Sequence, residues 1–245
     1  MRRYAWLFLS IGLVFSLVGC GDSGTGNGGS GGSAGSGGSG GGGTMVAVSG
    51  TVSAAALEGN STPVEGATVN VVGTSNTATT DANGNFSVMA PVGTVMILST
   101  ADGSWGSLFA EEVPSGGLSG VEAEVIPDAL VDALAGLLGT AADTSKGLVA
   151  VGFPEDTTVG GETASIDVNS ELSFIFDAQD DPVEGDTLVA DGSDEVVFVN
   201  VDVAGAVTAT ATSADAMPCP LEYPSASYSV QAKVITEIDV ICPMQ

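Results

Sequence analysis

The chain has 245 residues, and 30 Asp and Glu against 4 Lys and Arg give it a formal charge of −26, with no His at all. The missing imidazole excludes Ser-His-Asp, Cys-His and H-E-x-x-H chemistry and removes the commonest zinc ligand. So acidic a surface repels nucleic acid and anionic lipid headgroups, and no nucleic-acid partner is expected. Acidity of this kind is also a habit of proteins from saline habitats, so it does not by itself name a ligand.

The chain opens with Arg2 and Arg3, then an apolar run from Trp6 to Val18, then Gly19 and Cys20. A positive start, an apolar middle and small residues at a cut describe a secretory leader. The stretch from Tyr4 to Val18 spans about 15 residues, short of the roughly 20 that a membrane span needs. Leu17-Val18-Gly19-Cys20 resembles a bacterial lipobox. The resemblance implies removal of residues 1–19 as a lipoprotein signal peptide. It further implies a thioether-linked diacylglycerol on Cys20 and an acyl chain on its freed amine. Each buried CH2 adds about 0.8 kcal/mol, so several chains together anchor stably. Loss of Arg2 and Arg3 with the leader leaves 2 basic residues and a formal charge of −28. The membrane partner is then reached through the lipid. The expected location is the bacterial cell envelope, on the periplasmic face, the outer membrane or the cell surface. Asp22, second after the lipid cysteine, retains lipoproteins at the inner membrane in some bacteria, and the choice of membrane stays open.

Residues 20–44 form the lipidated Cys and its linker. From Gly21 to Gly43 the linker is Gly and Ser except for Asp22, Thr25, Asn27 and Ala34. Such a segment cannot bury apolar area and acts as a flexible spacer, with a root-mean-square span of about 25 Å. A phosphate-binding glycine loop is excluded, since no strand precedes it and no Lys follows it.

From Met45 the pattern turns to short β-branched runs. Val46, Val48 and Val52 alternate with small residues, as do Ala67, Val69 and Val71, then Phe86 and Val88, then Val95 and Ile97. Period-2 alternation with one apolar face predicts strands, with Leu118 to Ile126 adding another. Asn83-Gly84 predicts a hairpin with a type I′ turn. An EF-hand reading of Asp81-Ala82-Asn83-Gly84-Asn85 fails, because Phe86 and Val92 stand where that loop needs Gly and Glu. The fold class expected is mostly β: two small antiparallel sandwich units joined by a short helix.

The order Val48-Ser49-Gly50-Thr51-Val52, Pro63-Val64-Glu65-Gly66-Ala67-Thr68-Val69, Thr79-Thr80-Asp81-Ala82-Asn83-Gly84-Asn85-Phe86 and Pro91-Val92-Gly93-Thr94-Val95 is distinctive. It resembles the carboxypeptidase regulatory-like domain over residues 45–126. That resemblance implies a transthyretin-like, seven-stranded sandwich without catalysis of its own. A related grouping calls this architecture a carbohydrate-binding-like fold.

Residues 127–144 read as a helix and linker. Leu130, Val131, Leu134, Leu137 and Leu138 recur at helical spacing, with Pro127 and Asp128 suited to the start and Gly139 to the stop. Residues 145–245 read as a second, divergent sandwich. Its Leu148 to Val151, Gly161 to Ile166, Asp191 to Phe198 and Gly205 to Thr208 parallel segments of the first unit, and Tyr228 to Ile241 reads as one long strand or a hairpin. With Cys20 committed to lipid, Cys219 and Cys242 remain as an even pair in an exported chain, which predicts a disulfide.

Candidate binding residues are few. Asp177, Asp180, Asp181, Glu184 and Asp186 belong to an acidic run that continues to Glu195 without a basic residue. A solvated loop is the plain reading and weak Ca2+ binding the functional one. No other cofactor is expected. Trp105, in Asp102-Gly103-Ser104-Trp105-Gly106, is the one aromatic candidate to stack on a sugar ring, although a single Trp beside a turn more often covers the edge of a core. The function expected is a non-enzymatic envelope lipoprotein presenting interaction or structural modules to an unknown protein or glycan partner. A carbohydrate-binding module is the alternative. A Ca2+-dependent adhesion module and a carboxylate-based hydrolase rank lower.

Overall fold

Alternation in the first half produces eight strands in the computed structural model, which describes residues 44–56, 61–154 and 158–243. The expected leader, Cys20 and nearly all of the tether lie outside the described residues. The strands are β1 (Met45–Ala54), β2 (Thr62–Pro63), β3 (Thr68–Val71), β4 (Thr77–Thr79), β5 (Asn85–Pro91), β6 (Gly93–Thr100), β7 (Ser104–Val113) and β8 (Leu118–Pro127). One layer has β1 at its centre, antiparallel to β5 and parallel to β8, with β2 added at the end of β1. The facing layer runs β4-β3-β6-β7. Val48, Val52, Phe86, Val88, Val121 and Val125 from one layer meet Val69, Val71, Val95, Ile97, Phe109 and Val113 from the other. Every predicted core valine of the Val48, Val69 and Val88 runs thus faces inward, as alternation requires.

The turn at Asn83-Gly84 differs from the expectation. Gly84 has φ +74° but Asn83 does not share a positive φ, so the turn is not type I′. Asp81 Oδ1 instead accepts from the Asn83 N–H at 2.8 Å and the Asn85 N–H at 2.9 Å, which organises the turn locally. β4 pairs with β3 and β5 with β1, so the turn carries the chain from one layer to the other.

After β8 comes the helix α1 (Asp128–Leu137). Leu130, Val131 and Ala135 are buried on it, while Leu137, expected on the apolar stripe, is 70% exposed. Gly139 takes φ +75° as the chain leaves the helix, as a C-terminal glycine does. No helix among the described residues is long and apolar enough to cross a membrane.

The second half contains β9 (Gly147–Gly152), β10 (Thr163–Ile166), β11 (Leu172–Phe176), β12 (Pro182–Glu184), β13 (Glu195–Val201), β14 (Ala209–Thr212), β15 (Pro218–Cys219) and β16 (Val234–Asp239). β9 lies between β13, antiparallel to it, and β16, parallel to it. This repeats the pairing of β1 with β5 and β8. Two segments depart from the sequence reading. Gly205 to Thr208 is irregular rather than a strand. Within Tyr228 to Ile241 only Val234–Asp239 is a strand, because Lys233 turns the chain at φ 59°.

β16 also pairs in parallel with β7, so one sheet runs β12-β11-β13-β9-β16-β7-β6-β3-β4 through both halves. A three-stranded sheet, β10-β14-β15, covers one face of the second half. Val149, Val151, Val196, Phe198 and Ile238 lie beneath it, with Ala164, Ala209 and Ala211 from the cover. The opposite face meets α1: Leu130 and Val131 pack with Leu148, Ala150, Val197, Val199 and Ile235. β9 and β13 are therefore apolar on both faces, which explains their continuous rather than alternating hydrophobicity. The fold is mostly β, with antiparallel and mixed sheets in sandwich layers.

Gly50 marks the tightest contact in the first sandwich. The β1–β8 register shifts between Ser49 and Gly50, and a Cβ at Gly50 would stand 1.9 Å from the Val121 carbonyl oxygen. Gly50→Ala is expected to destabilise the protein by about 1–3 kcal/mol or more in urea unfolding, as backbone overpacking does. An unchanged midpoint would show that β1 and β8 separate freely at the bulge.

Candidate functional site

Cys219 ends β15 and Cys242 follows β16, and the two sulfurs are bonded with their Cα atoms 4.4 Å apart. The expected disulfide is present. It ties the covering three-stranded sheet to the strand that joins the halves.

Trp105 does not stand ready for a sugar. It is 1% exposed and packs with Ala55, Ile126, Leu130 and Ile235 where α1 meets the central sheet. The glycines around it, which made it look like a loop-tip aromatic, belong to the turn before β7, and Trp105 itself pairs with Ile126. It fills a core.

The acidic run forms a hairpin. Asp177, Asp180 and Asp181 make the turn between β11 and β12, where Asp177 Oδ1 accepts from the Gln179 N–H at 2.8 Å and the Asp181 N–H at 3.0 Å. Glu184 ends β12, and Asp186 Oδ1 accepts from the Thr187 hydroxyl at 3.1 Å. A hairpin strings these carboxylates out rather than wrapping them round a point. Among the described residues no three His, Cys, Asp or Glu side chains gather to hold a metal ion.

A different set of carboxylates does converge, from strands far apart in sequence. Beyond the part of the central sheet that α1 covers, Glu195 of β13 and Asp239 of β16 both pair across Gly152 of β9, and Glu237 lies one pleat away beside Ala150. Asp239 Oδ1 occupies the space over Gly152: a Cβ there would come within 2.8 Å of it. Opposite stand Glu122 and Glu124 of β8, paired with Thr51 and Ser53 of β1. Between them is a cavity of about 300 Å³ lined by Thr51, Ser53, Ser61, Asn83, Glu124 and Glu237.

Electrostatics in this cleft run one way. Burial, then Glu122, pushes Glu124 up from 4.5 to about 7. Glu195, 8% exposed, is held well above the usual carboxylate range by burial and then by Asp194, Glu237, Asp239 and Glu124. Glu237 is raised in the same way by burial and then Asp239, Glu124 and Glu111. Both lysines of the described residues are engaged elsewhere: Lys146 Nζ with Asp202 at 3.0 Å and Lys233 Nζ with Asp128 at 2.9 Å. Among the described residues no cation therefore balances the cleft.

Sequence reading passed over most of these residues. Glu122-Ala123-Glu124 and Glu237-Ile238-Asp239 look like the outward positions of alternating strands, and only the meeting of β8 with β16 turns them toward one another.

No protein-family model matches the chain, and no curated protein sequence does. Among solved structures, the Bacillus anthracis TIE protein is similar at 15% identity over 80% of this chain, with a TM-score of 0.27. This chain spans only 34% of that protein's length. A double mutant of the shaft pilin SpaA from Lactobacillus rhamnosus GG is similar at 13% identity over 81% of this chain and 98% of the pilin, with a TM-score of 0.25. The unmutated shaft pilin gives 11% identity and a TM-score of 0.25. Likenesses this distant say nothing about the site.

The raised carboxyls have a defined consequence for stability. Each binds its proton more tightly in the folded chain than in the unfolded one. Their contribution is full below the ordinary value of 4.5 and is lost as pH rises, through about 7 for Glu124. Asp81, Asp143, Glu171 and Asp202 are lowered instead, chiefly by hydrogen bonds from Asn85, Ser145, Thr140 and Lys146, so they weaken the fold only on acidification below the ordinary range. Stability is expected to fall from about pH 5 to pH 8, and Glu124→Gln to lessen that fall by about 1–2 kcal/mol after solvent screening. Parallel pH profiles for the two proteins would contradict the assignment.

Proposed function

We propose that this protein is a non-enzymatic cell-envelope lipoprotein that presents a β-sandwich body for interaction or structural support. The observation that carries the reading is Leu17-Val18-Gly19-Cys20 behind an apolar run, followed by a Gly/Ser tether that ends where β1 begins at Met45. In this reading Cys20 bears the lipid, and the tether holds the body off the membrane. Residues 45–126 form a carboxypeptidase regulatory-like unit and residues 145–245 a second, divergent unit, joined through residues 127–144.

A role without catalysis is supported by the lack of His in the chain and by the composition of the cleft, which offers carboxylates and hydroxyls but no activated nucleophile or metal ligand set. The carbohydrate-binding alternative has lost its aromatic platform, because Trp105 is in the core. The unknown partner meets the body through its surface.

Expression of the full chain in a bacterial host with labelled palmitate tests the anchor. The wild type is expected to carry label and to sediment with membranes, and Cys20→Ser to lose both properties. Membrane retention of the Cys20→Ser protein would overturn the proposal.

A further inference from the structure

We propose that the first sandwich docks on a zwitterionic phospholipid surface through the pole at which the chain enters β1. The proposal takes its membrane from the lipoprotein reading above, and it deepens that reading by naming the face that meets the lipid.

The chain enters this pole at Thr44, whose carbonyl accepts from the Val92 N–H at 3.1 Å. Three turns lie beside it: residues 72–76 between β3 and β4, Val92 between β5 and β6, and residues 114–117 between β7 and β8. Register brings them to one end of the sandwich. Met45 pairs with Pro91, and Gly93 with Val113. The Val72 N–H donates to the Met96 carbonyl at 2.9 Å, and a Cβ at Gly117 would come within 2.6 Å of the Ala47 carbonyl oxygen. None of these segments carries a charged residue, whereas the turns of the opposite pole hold Glu65, Asp81 and Asp102. The acidic residues nearest the uncharged pole by register are Glu111 and Glu112 on β7.

Apolar exposure is a separate observation that singles out the same pole. Among the described residues of the first sandwich, the exposed large hydrophobics are Met45, Val72, Met89 and Val92, between 39% and 45% exposed. All four lie at or beside this pole. Met45 and Met89 share the outer face of the β1–β5 pair, and Val92 adjoins the chain entry. Hydrophobic residues scattered singly over a surface need no partner, but adjoining ones mark an interaction face. At a lipid surface these side chains leave water without desolvating a charge beside them.

Charge then sets the orientation. The strongly acidic remainder of the body keeps its hydration by pointing away from the lipid, and headgroups without net charge do not repel the pole. A second copy fits this face less well, because joining two copies here brings two acidic bodies together with both chain entries between them. The tether from Gly21 to Gly43 has a root-mean-square span of about 25 Å, which sets a reach rather than a fixed height. A short flexible link of this kind holds the pole at an effective concentration on the order of millimolar, so a contact of only millimolar affinity is populated about half of the time.

The test is hydrogen exchange on the chain from Cys20 onward, its mature form in the lipoprotein reading. With Cys219 and Cys242 bonded to each other, Cys20 is the free thiol. It is coupled to a maleimide phospholipid in phosphatidylcholine nanodiscs, and in the reference sample to N-ethylmaleimide beside empty nanodiscs. This coupling makes the result independent of whether the cell lipidates Cys20, which the palmitate experiment decides. In the nanodisc sample the amides of Met45, of residues 72–76 and 92–93 and of residues 115–117 are expected to exchange about twofold or more slowly than in the reference. Those of Glu65, Asp81 and Asp102 are expected not to change. The double variant Met89→Asp, Val92→Asp should lose the protection, and Val92→Asp alone should reduce it. Val203→Asp with Met217→Asp, which adds the same charge at exposed positions of the second half, should keep it. The proposal is overturned if the pole gains no protection, if both poles gain it equally, or if the Met89→Asp, Val92→Asp variant keeps it. Protection that appears in the reference sample and rises with protein concentration also overturns it, and assigns the face to a second copy.

Discussion

β16 lies between β7 and β9, parallel to both, and its pairing makes one sheet of what are otherwise two sandwiches. The chain supplies this strand last, after both sandwiches have been laid down. Its side chains serve both faces of the sheet. Val234 and Ile238 complete the core beneath the three-stranded cover, and Ile235 completes the core beneath α1. Thr236 is fully buried, and its hydroxyl donates to the Ser229 carbonyl at 2.6 Å. The ends of the strand are also fixed. Lys233 Nζ binds Asp128 at the start of α1, and Cys242 is bonded to Cys219 in the cover. Closing a loop of this length constrains the unfolded chain by about 3 kcal/mol in the entropic account.

The same strand creates the acidic cleft. Glu237 and Asp239 continue the β16 register past the region that a ten-residue helix can cover. They meet Glu195 across β9 and Glu124 across the gap to β8. A sheet face left open beside a short helix is ordinarily polar and solvated. Here the neighbouring layer shields it, and burial raises the Glu124, Glu195 and Glu237 carboxyls above their ordinary values. The cleft is thus a product of joining the halves, and neither half contains it alone.

Much of the first half was legible because its strands alternate. Val48, Val69, Val88 and Ile97 reach the core their spacing assigns them. The second half was harder to read for a physical reason. β9 and β13 are buried on both faces, so their valines run without alternation and give no face to follow. The Cys219–Cys242 pair was readable from parity alone. Trp105 fills a core, as a single Trp beside a turn more often does, and the flanking glycines mark a turn without saying which way the next side chain points. Closeness in sequence is not convergence: the Asp177 to Asp186 run makes a hairpin, while Glu124, Glu195 and Glu237 approach one another from three strands. Long-range pairing of that kind leaves no local signal.

Native-state hydrogen exchange is the most direct test of the joining role of β16. If β16 unites the halves, amides of Ile97 and Phe109 in the first sandwich and of Val149 and Val197 in the second exchange only through one global opening, with free energies equal within about 1 kcal/mol. Separate plateaus for the two sets, differing by several kcal/mol, would show two independently unfolding sandwiches and contradict the account.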